Sequence, residues 1–291
     1  MAIYPSVRER LQKLREAFDR LRPEKESLLT VLDEAELPEN VYNSNAIENS
    51  TLTLKETERI LMELEVSRNV SVREVFEAKN LSRVMEYKKI TSQDRELSIE
   101  LILFFHKMLL TGINDYAAGR FREGNEYVRV GTFIAIPPEH IEQRMKDILI
   151  KYTSDFSSYF IEKIAKFHLD FETIHPFIDG NGRLGRVIIN YQMLRLGFPR
   201  IIIRQKDKKT YYRSFEEYRN DKKTKLMETA ISLALMESLH KRIAYLQGKT
   251  IIPLPEYIRK KQLKAPAVFN AARRQTIAAF REKGIWKIGI D

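Results

Sequence analysis

Apolar residues recur at helical spacing along most of this chain, and that pattern restricts the fold more than any other feature. Val7, Leu11, Leu14 and Phe18 form one stripe over residues 7–21. Pro23 reads as the opening of a second helix to about Leu37, with Pro38 marking its end. Thr53-x-x-Glu56 and Ser71-x-x-Glu74 have capping-box spacing and predict helices to about Val66 and about Ile90. Leu97–Leu110 is apolar enough for a central helix, and further helices are expected over about 139–152, 157–174, 182–197 and 221–247. The pattern breaks between Gly119 and Pro138. There Tyr127–Val130 and Thr132–Ile136 flank Gly131 as two short extended runs, which suggests a β-hairpin. The expectation is a mainly α fold with one hairpin.

A length of 291 residues suits one domain with a satellite, or two domains, and neither internal repeats nor low-complexity segments appear. The absence of cysteine excludes disulfides and thiolate metal sites and fits a reducing compartment. No His-Glu-x-x-His or other zinc spacing occurs. The opening residues Met1–Pro5 lack the apolar run of a signal peptide, and no stretch approaches membrane-spanning length, so a cytoplasmic location without membrane contact is expected. The net charge is +10, and from Glu256 onward nine Lys/Arg stand against three acids, so that tail supplies +6 of it. A basic excess suits a polyanionic partner, or serves solubility.

The chemistry concentrates in His175-Pro176-Phe177-Ile178-Asp179-Gly180-Asn181-Gly182-Arg183-Leu184-Gly185-Arg186. Asp179–Gly182 is turn material between two helices, where glycines admit close backbone approach and consecutive N–H groups form an anion nest. The next helix begins at about Gly182 and points its positive end at the same place. Arg183, Arg186 and Asn190 share one face of it, so two arginines border a phosphate-sized site. Asp179 is a hard oxygen ligand suited to a phosphate-bridging Mg2+. His175, ending the preceding helix, can serve as general base toward an incoming hydroxyl. Phe177 reads as the loop's apolar anchor. His168 and His106 read as packed structural histidines, His140 and His240 have no partner pattern, and Trp286 reads as core of the C-terminal piece.

This segment resembles the Fic-family signature His-x-Phe-x-(Asp/Glu)-Gly-Asn-Gly-Arg-x-x-Arg, and all eight specified positions match. The likeness extends over about residues 40–245. Gly119-Arg120-Phe121-Arg122 and the following hairpin look like the family's flap, which holds a target chain in register by main-chain hydrogen bonds. Tyr211, Tyr212 and Asn220 lie where relatives line the adenine pocket. The resemblance implies an enzyme, a protein adenylyltransferase in which a target Ser, Thr or Tyr hydroxyl attacks the α-phosphate of ATP and pyrophosphate leaves. By the same resemblance His175 is the base and Asp179 holds Mg2+. Gly180, Asn181 and Gly182 form the anion hole, Arg183 steadies the α- and β-phosphates, and Arg186 holds the γ-phosphate.

Ser44-Asn45-Ala46-Ile47-Glu48-Asn49 resembles the inhibitory pattern (Ser/Thr)-x-x-x-Glu-(Gly/Asn) of the class with an N-terminal inhibitory helix. Ser44 and Glu48, four apart, share a face. Glu48 is expected at the end of a short helix, where the dipole disfavours an anion, and Arg186 is the cation expected to offset this. Such a pair would deprive the γ-phosphate of its anchor. In some relatives the same glutamate serves removal of AMP.

The C-terminal stretch is expected as a small basic unit, 254–291, after a boundary at Pro253 and Pro255. Arg273–Arg281 followed by Gly284–Lys287 resembles the recognition helix and wing of excisionase-type helix-turn-helix domains; the other reading is a cap that packs on the core or mediates a dimer. The expected organisation is 1–95 with the inhibitory helix at about 40–49, a catalytic core over 96–250, and that unit. The expected partners are ATP, Mg2+ and a hydroxyl-bearing protein docked on the flap at about 127–136, with self-modification, a homodimer and DNA at the C-terminal unit left open. The rival functions are AMP removal at the same site, a DNA-binding regulator with a nucleotide-sensing core, and an inactive nucleotide-binding scaffold.

Overall fold

The computed structural model describes residues 5–66, 69–91 and 95–291, so Met1–Tyr4 lie outside it. The N-terminal part consists of α1 (Pro5–Leu21), α2 (Glu26–Ile47), α3 (Leu54–Glu58) and α4 (Val72–Thr91). After α5 (Ile99–Leu110) come the hairpin strands β1 (Arg129–Val130) and β2 (Phe133–Ile134), paired antiparallel with Val130 opposite Phe133. Next are α6 (Ile141–Ser154), α7 (Phe160–Ile174), α8 (Asn181–Arg195), α9 (Lys208–Asp221) and α10 (Lys225–Leu246). The chain closes with β3 (Thr250–Pro253), α11 (Leu254–Lys260), α12 (Ala265–Arg273), β4 (Ala279–Glu282) and β5 (Ile285–Ile290). The mainly helical class expected from the apolar spacing is the one observed.

α8 is the axis of the molecule. Leu184, Val187, Ile188 and Tyr191 pack into one core with Phe105 of α5, Leu81 of α4 and Phe171 of α7. Ile189 and Met193, on its other side, join a second core with Leu11 of α1, Phe215 of α9 and Leu235 of α10. A helix apolar on both sides is buried between layers, and each such fully covered side chain stabilises the fold by about 1.5–3 kcal/mol. This burial fixes the start of α8 and the loop before it.

Several boundaries differ from the sequence reading. Pro38 does not end a helix; α2 begins at Glu26, after Lys25, and runs through Pro38 to Ile47. A proline inside a helix removes one hydrogen bond. Here buried ion pairs on either side hold the helix to α10 and to the loop before α9: Glu36 to Arg242, and Glu39 to Arg204. The Thr53–Glu56 capping box forms, but after Glu58 the helix widens into a π-turn over Arg59–Glu63 and ends at left-handed Leu64. Ser71 caps Glu74 N, whereas the Glu74 side chain turns away to Ser50 and Thr51. α9 lies in a stretch without an assigned element; it buries Tyr211, Phe215 and Tyr218 at i, i+4 and i+7 on an otherwise polar helix. The expected recognition helix over Arg273–Arg281 is not present. α12 ends at Arg273, Gln275 adopts φ 52, its amide bonds the carbonyls of Ala272 and Ala279, and Ala279–Glu282 is a strand. No helix among the described residues is long and apolar enough to cross a membrane.

Candidate active site

The loop between α7 and α8 is clamped from three sides. His175 ends α7 in a left-handed conformation (φ 51). Phe177 is fully buried and stacks on His106 of α5, with ring centroids 3.7 Å apart. His106 Nδ1 accepts from Gly119 N at 3.0 Å, which leaves the proton on Nε2 to be donated to Asp179 O, also at 3.0 Å. Burial pulls this imidazole down to about 4, so it is neutral. The Asn181 side chain closes the loop on itself, accepting from Phe177 N at 3.0 Å and donating to Phe177 O at 2.8 Å.

Gly180, at φ 80, precedes α8. The first bond inside that helix is Leu184 N to Gly180 O, so the N–H groups of Asn181, Gly182 and Arg183 have no intrahelical acceptor. Because the Asn181 side chain is spent on Phe177, Asn181 offers this nest only its main-chain N–H. Such a start is a site for phosphate oxygens.

The charged groups form two clusters on either side of that nest. Asp179 receives Arg183 at 3.1 Å and also pairs with Arg73 of α4, while Arg183 reaches Glu77 at 3.1 Å. Burial acts to raise the Asp179 pKa, but Arg183 and Arg73 hold it below the usual carboxylate range. On the other side, Arg186 is buried and donates to Ser44 Oγ at 2.9 Å and Ser44 O at 2.8 Å, and it pairs with Glu48 at 2.9 Å. Burial alone would lower the guanidinium pKa; the adjacent Glu48 outweighs it and keeps Arg186 charged. Glu48 caps the 22-residue α2. It is therefore presented by a long anchored helix and not by the short one expected. Its carboxylate lies directly over Gly182, where a Cβ would collide with it.

His175 Nδ1 lies 3.7 Å from Glu172 Oε2 and has no hydrogen-bond partner among the described residues. Burial, assisted by Arg122, lowers His175 to about 4. Burial and then Glu48 push Glu172 up to about 8. Arg122 is the residue that ties the hairpin to the loop between α7 and α8. It donates to His175 O at 2.9 Å, Glu126 O at 2.8 Å and Ile136 O at 3.0 Å.

Two adjoining cavities meet at Glu48, His175 and Gly182. One, of about 350 Å³, is lined by Arg73, Glu77, Asp179, Gly180, Asn181 and Arg183. The other, of about 310 Å³, is lined by Glu172, Arg186, Tyr211, Tyr212, Phe215, Arg219 and the hairpin residues Val130–Thr132. Tyr211 is held by His168, its hydroxyl 2.7 Å from Nε2, and Tyr212 donates to Ile47 O at 3.2 Å. Asn220 is exposed and lines neither cavity. It stands nine positions beyond Tyr211, about two and a half helical turns, on the opposite face. Arg219 takes the position beside the hairpin instead, its guanidinium 4.3 Å from the Phe133 ring. Asn190, the third residue of the expected polar stripe, bonds both main-chain groups of Ile201.

No group of three or more His, Cys, Asp or Glu residues with metal-holding geometry occurs among the described residues. The donor set nonetheless fits Mg2+ arriving with a nucleotide, which takes one or two carboxylates and completes its shell with phosphates and water. Arg73, an exposed cation, pairs with one Asp179 oxygen, so that carboxylate already takes a positive charge. Arg73, Glu77 and Glu172 carry no motif signal, since each reaches the loop from elsewhere in sequence or lies outside the signature; Arg122 lies in the flap-like Gly119–Arg122 stretch, but its bond to His175 O could not be read there.

Residues 96–193 match the Fic/DOC family. The chain is 34% identical over 180 residues to protein adenylyltransferase fic-1 of Caenorhabditis elegans, covering 60% of this chain and 35% of that protein. It is 31% identical over 221 residues to protein adenylyltransferase Fic of Nematostella vectensis, covering 74% of this chain and 50% of that one. It thus spans a third to a half of the length of these curated relatives. A Fic domain containing signaling protein from Bacteroides thetaiotaomicron has the same fold, with a TM-score of 0.75 and 26% identity over 83% of this chain and 98% of the other.

Proposed function

We propose that this chain, a member of the Fic/DOC family through residues 96–193, transfers AMP from ATP to a protein hydroxyl and is held inactive by Glu48. The observation that carries this reading is the Glu48–Arg186 pair at 2.9 Å beside the free N–H groups that open α8. An arginine and an amide nest side by side suit a polyphosphate, and an internal carboxylate occupies that arginine.

In the active form the adenosine lies in the cavity lined by Tyr211, Tyr212 and Phe215, and the phosphates cross toward Asp179. The N–H groups of Asn181, Gly182 and Arg183 receive α-phosphate oxygens. Arg183 binds the α- and β-phosphates and Arg186, freed from Glu48, the γ-phosphate. Mg2+, held by Asp179, would neutralise charge on the phosphates as pyrophosphate departs. The target hydroxyl oxygen bonds to the α-phosphorus, the bond from that phosphorus to the β-bridging oxygen breaks, and the proton passes to a ring nitrogen of His175. A pKa lowered to about 4 by burial keeps His175 neutral in the inhibited arrangement, and the negative charge of bound phosphates would raise it toward the range of an effective base. The hairpin supplies main-chain groups for an extended target segment, and Arg122 fixes it relative to His175. With Glu48 on Arg186, ATP is denied its γ-anchor, and a displacement of the α-phosphate by about 1 Å can cost a hundredfold in rate.

The test compares wild type, Glu48→Gly and Glu48→Gly/His175→Ala with α- and γ-labelled ATP and Mg2+. The reading expects label on protein from the α-position alone, strong in Glu48→Gly and lost in the double variant. Equal transfer from both labels, or none from Glu48→Gly that binds ATP, overturns it.

A further inference from the structure

The residues after α10 form a unit whose topology is not used by the site above. β3, β5 and β4 make an antiparallel sheet in that order, and α11 and α12 pack beneath it through Leu254, Ile258 and Ala272. Residues 261–264 join the two helices, with Gln262 at φ 51 making the corner. Two helices joined by such a short turn, followed by a hairpin, are the winged form of a helix-turn-helix. Its second helix is the one that enters a major groove.

The charge distribution has the same polarity. Arg259, Lys261, Lys264, Arg273 and Arg274 are exposed, and none is in a salt bridge among the described residues. The segment's other cations are all paired: Lys260 with Glu256, Arg281 with Glu237, Lys283 with Glu58 and Lys287 with Glu282. Uncompensated charge is therefore confined to the two-helix face. On α12 the outward residues Ala267, Asn270 and Arg274 follow helical spacing. The small side chain allows close approach, the amide can read a base edge, and the arginine can bind a phosphate. Arg10 of α1 extends the positive surface by donating to the carbonyls of Arg274 and Gln275. The wing turn is engaged elsewhere, since the N–H groups of Lys283 and Gly284 donate to Glu39 at 2.9 and 3.0 Å. The contact thus falls to the helices.

We propose that α12 and the α11–α12 turn form a binding surface for duplex DNA. The whole chain is titrated against a fluorescein-labelled DNA duplex of mixed sequence at 50 to 200 mM salt. Five phosphate-binding cations give a log–log slope of about −4.5, or about 500-fold weaker binding across that range. Lys261→Glu/Lys264→Glu/Arg274→Glu loses at least about 100-fold in affinity at the low-salt end with an unchanged melting temperature. Should that variant not fold, the milder Lys261→Gln/Lys264→Gln lowers the slope by about 1.8. Asn270→Ala is expected to flatten the sequence preference recovered from a randomised duplex pool. Absence of duplex binding at 50 mM salt, a slope unchanged by the glutamine pair, or tighter binding to single-stranded RNA of equal length overturns the proposal. All these readouts are independent of AMP transfer.

Discussion

Ser44→Ala removes a single bond from the clamp on Arg186. Ser44 Oγ accepts from Nε at 2.9 Å; the main-chain bond from Nη2 to Ser44 O and the Glu48 pair remain. Arg186 is buried, and its Nη1 already lacks a partner among the described residues, so the vacated Nε gains no easy replacement. A hydrogen bond to a charged group contributes about 1.5–3 kcal/mol. The loss falls on the inhibited state alone, because in the active state Arg186 faces phosphate. The balance between held and released forms therefore shifts about 10- to 150-fold. The higher helix propensity of alanine returns at most about 0.5 kcal/mol. The assay is the initial rate of α-label incorporation by wild type, Ser44→Ala, Glu48→Gly and the double variant. Ser44→Ala should fall between wild type and Glu48→Gly, and the double variant should equal Glu48→Gly. A wild-type rate for Ser44→Ala with an unchanged melting temperature would refute the reasoning.

Arg122→Lys keeps the charge but cannot span the carbonyls of His175, Glu126 and Ile136. In the Glu48→Gly background it should lower kcat toward protein by about a hundredfold and leave ATP affinity intact by calorimetry. Glu39→Gln, nine positions before Glu48 on α2, weakens the tie to Arg204 and to the wing turn. It should lower the melting temperature, since a broken buried pair costs about 3–5 kcal/mol, and raise transfer only where Glu48 is present. Stability should peak near pH 6.5. Burial lowers His106 and His175 to about 4 and His168 to about 3 from 6.5, so below 6.5 the unfolded chain binds more protons and stability falls with pH. Glu172, raised to about 8 from 4.5, acts oppositely and loses its contribution as pH rises to 8. Among these four groups, three imidazoles against one carboxyl leave two net protons between pH 4.5 and 6.5, up to about 2.7 kcal/mol per pH unit, while the lowered His240 and the raised Glu228 act in opposite directions. Urea unfolding at pH 5.0, 6.5 and 8.0 measures this, and a maximum at 5.0 contradicts it.

The loop between α7 and α8 was legible because its parts are consecutive: His175 through Arg186 carry the amide nest, a carboxylate and two arginines within twelve residues, and the loop stands where that order implies. Ser44 and Glu48 were legible as a face, and the structure brings both to Arg186, 142 positions from Ser44. What escaped was whatever depends on distant pairing. Arg73 and Glu77 look like an exposed helix face until α4 is set beside the loop, and Arg122, though within the flap-like stretch, shows its carbonyl contacts only once the hairpin folds over it. Pro38 misled because local rules end a helix where tertiary ion pairs continue it. In the C-terminal unit the cations at 273, 274 and 281 suggested a helix over 273–281, whereas the second helix is Ala265–Arg273 and ends where that one was expected to begin. Asn220 was assigned by alignment of spacing, and a one-residue shift on a helix turns a side chain by about 100°.

On the proposed function, Glu48 keeps an otherwise complete site from transferring AMP. Intact-protein mass spectrometry of Glu48→Gly after incubation with Mg2+ and ATP tests it most directly. An added AMP is expected on a hydroxyl residue of this chain or of a supplied protein target, almost absent with wild type and absent with Glu48→Gly/His175→Ala. Wild type modifying as fast as Glu48→Gly, or an adduct that survives His175→Ala, would contradict it.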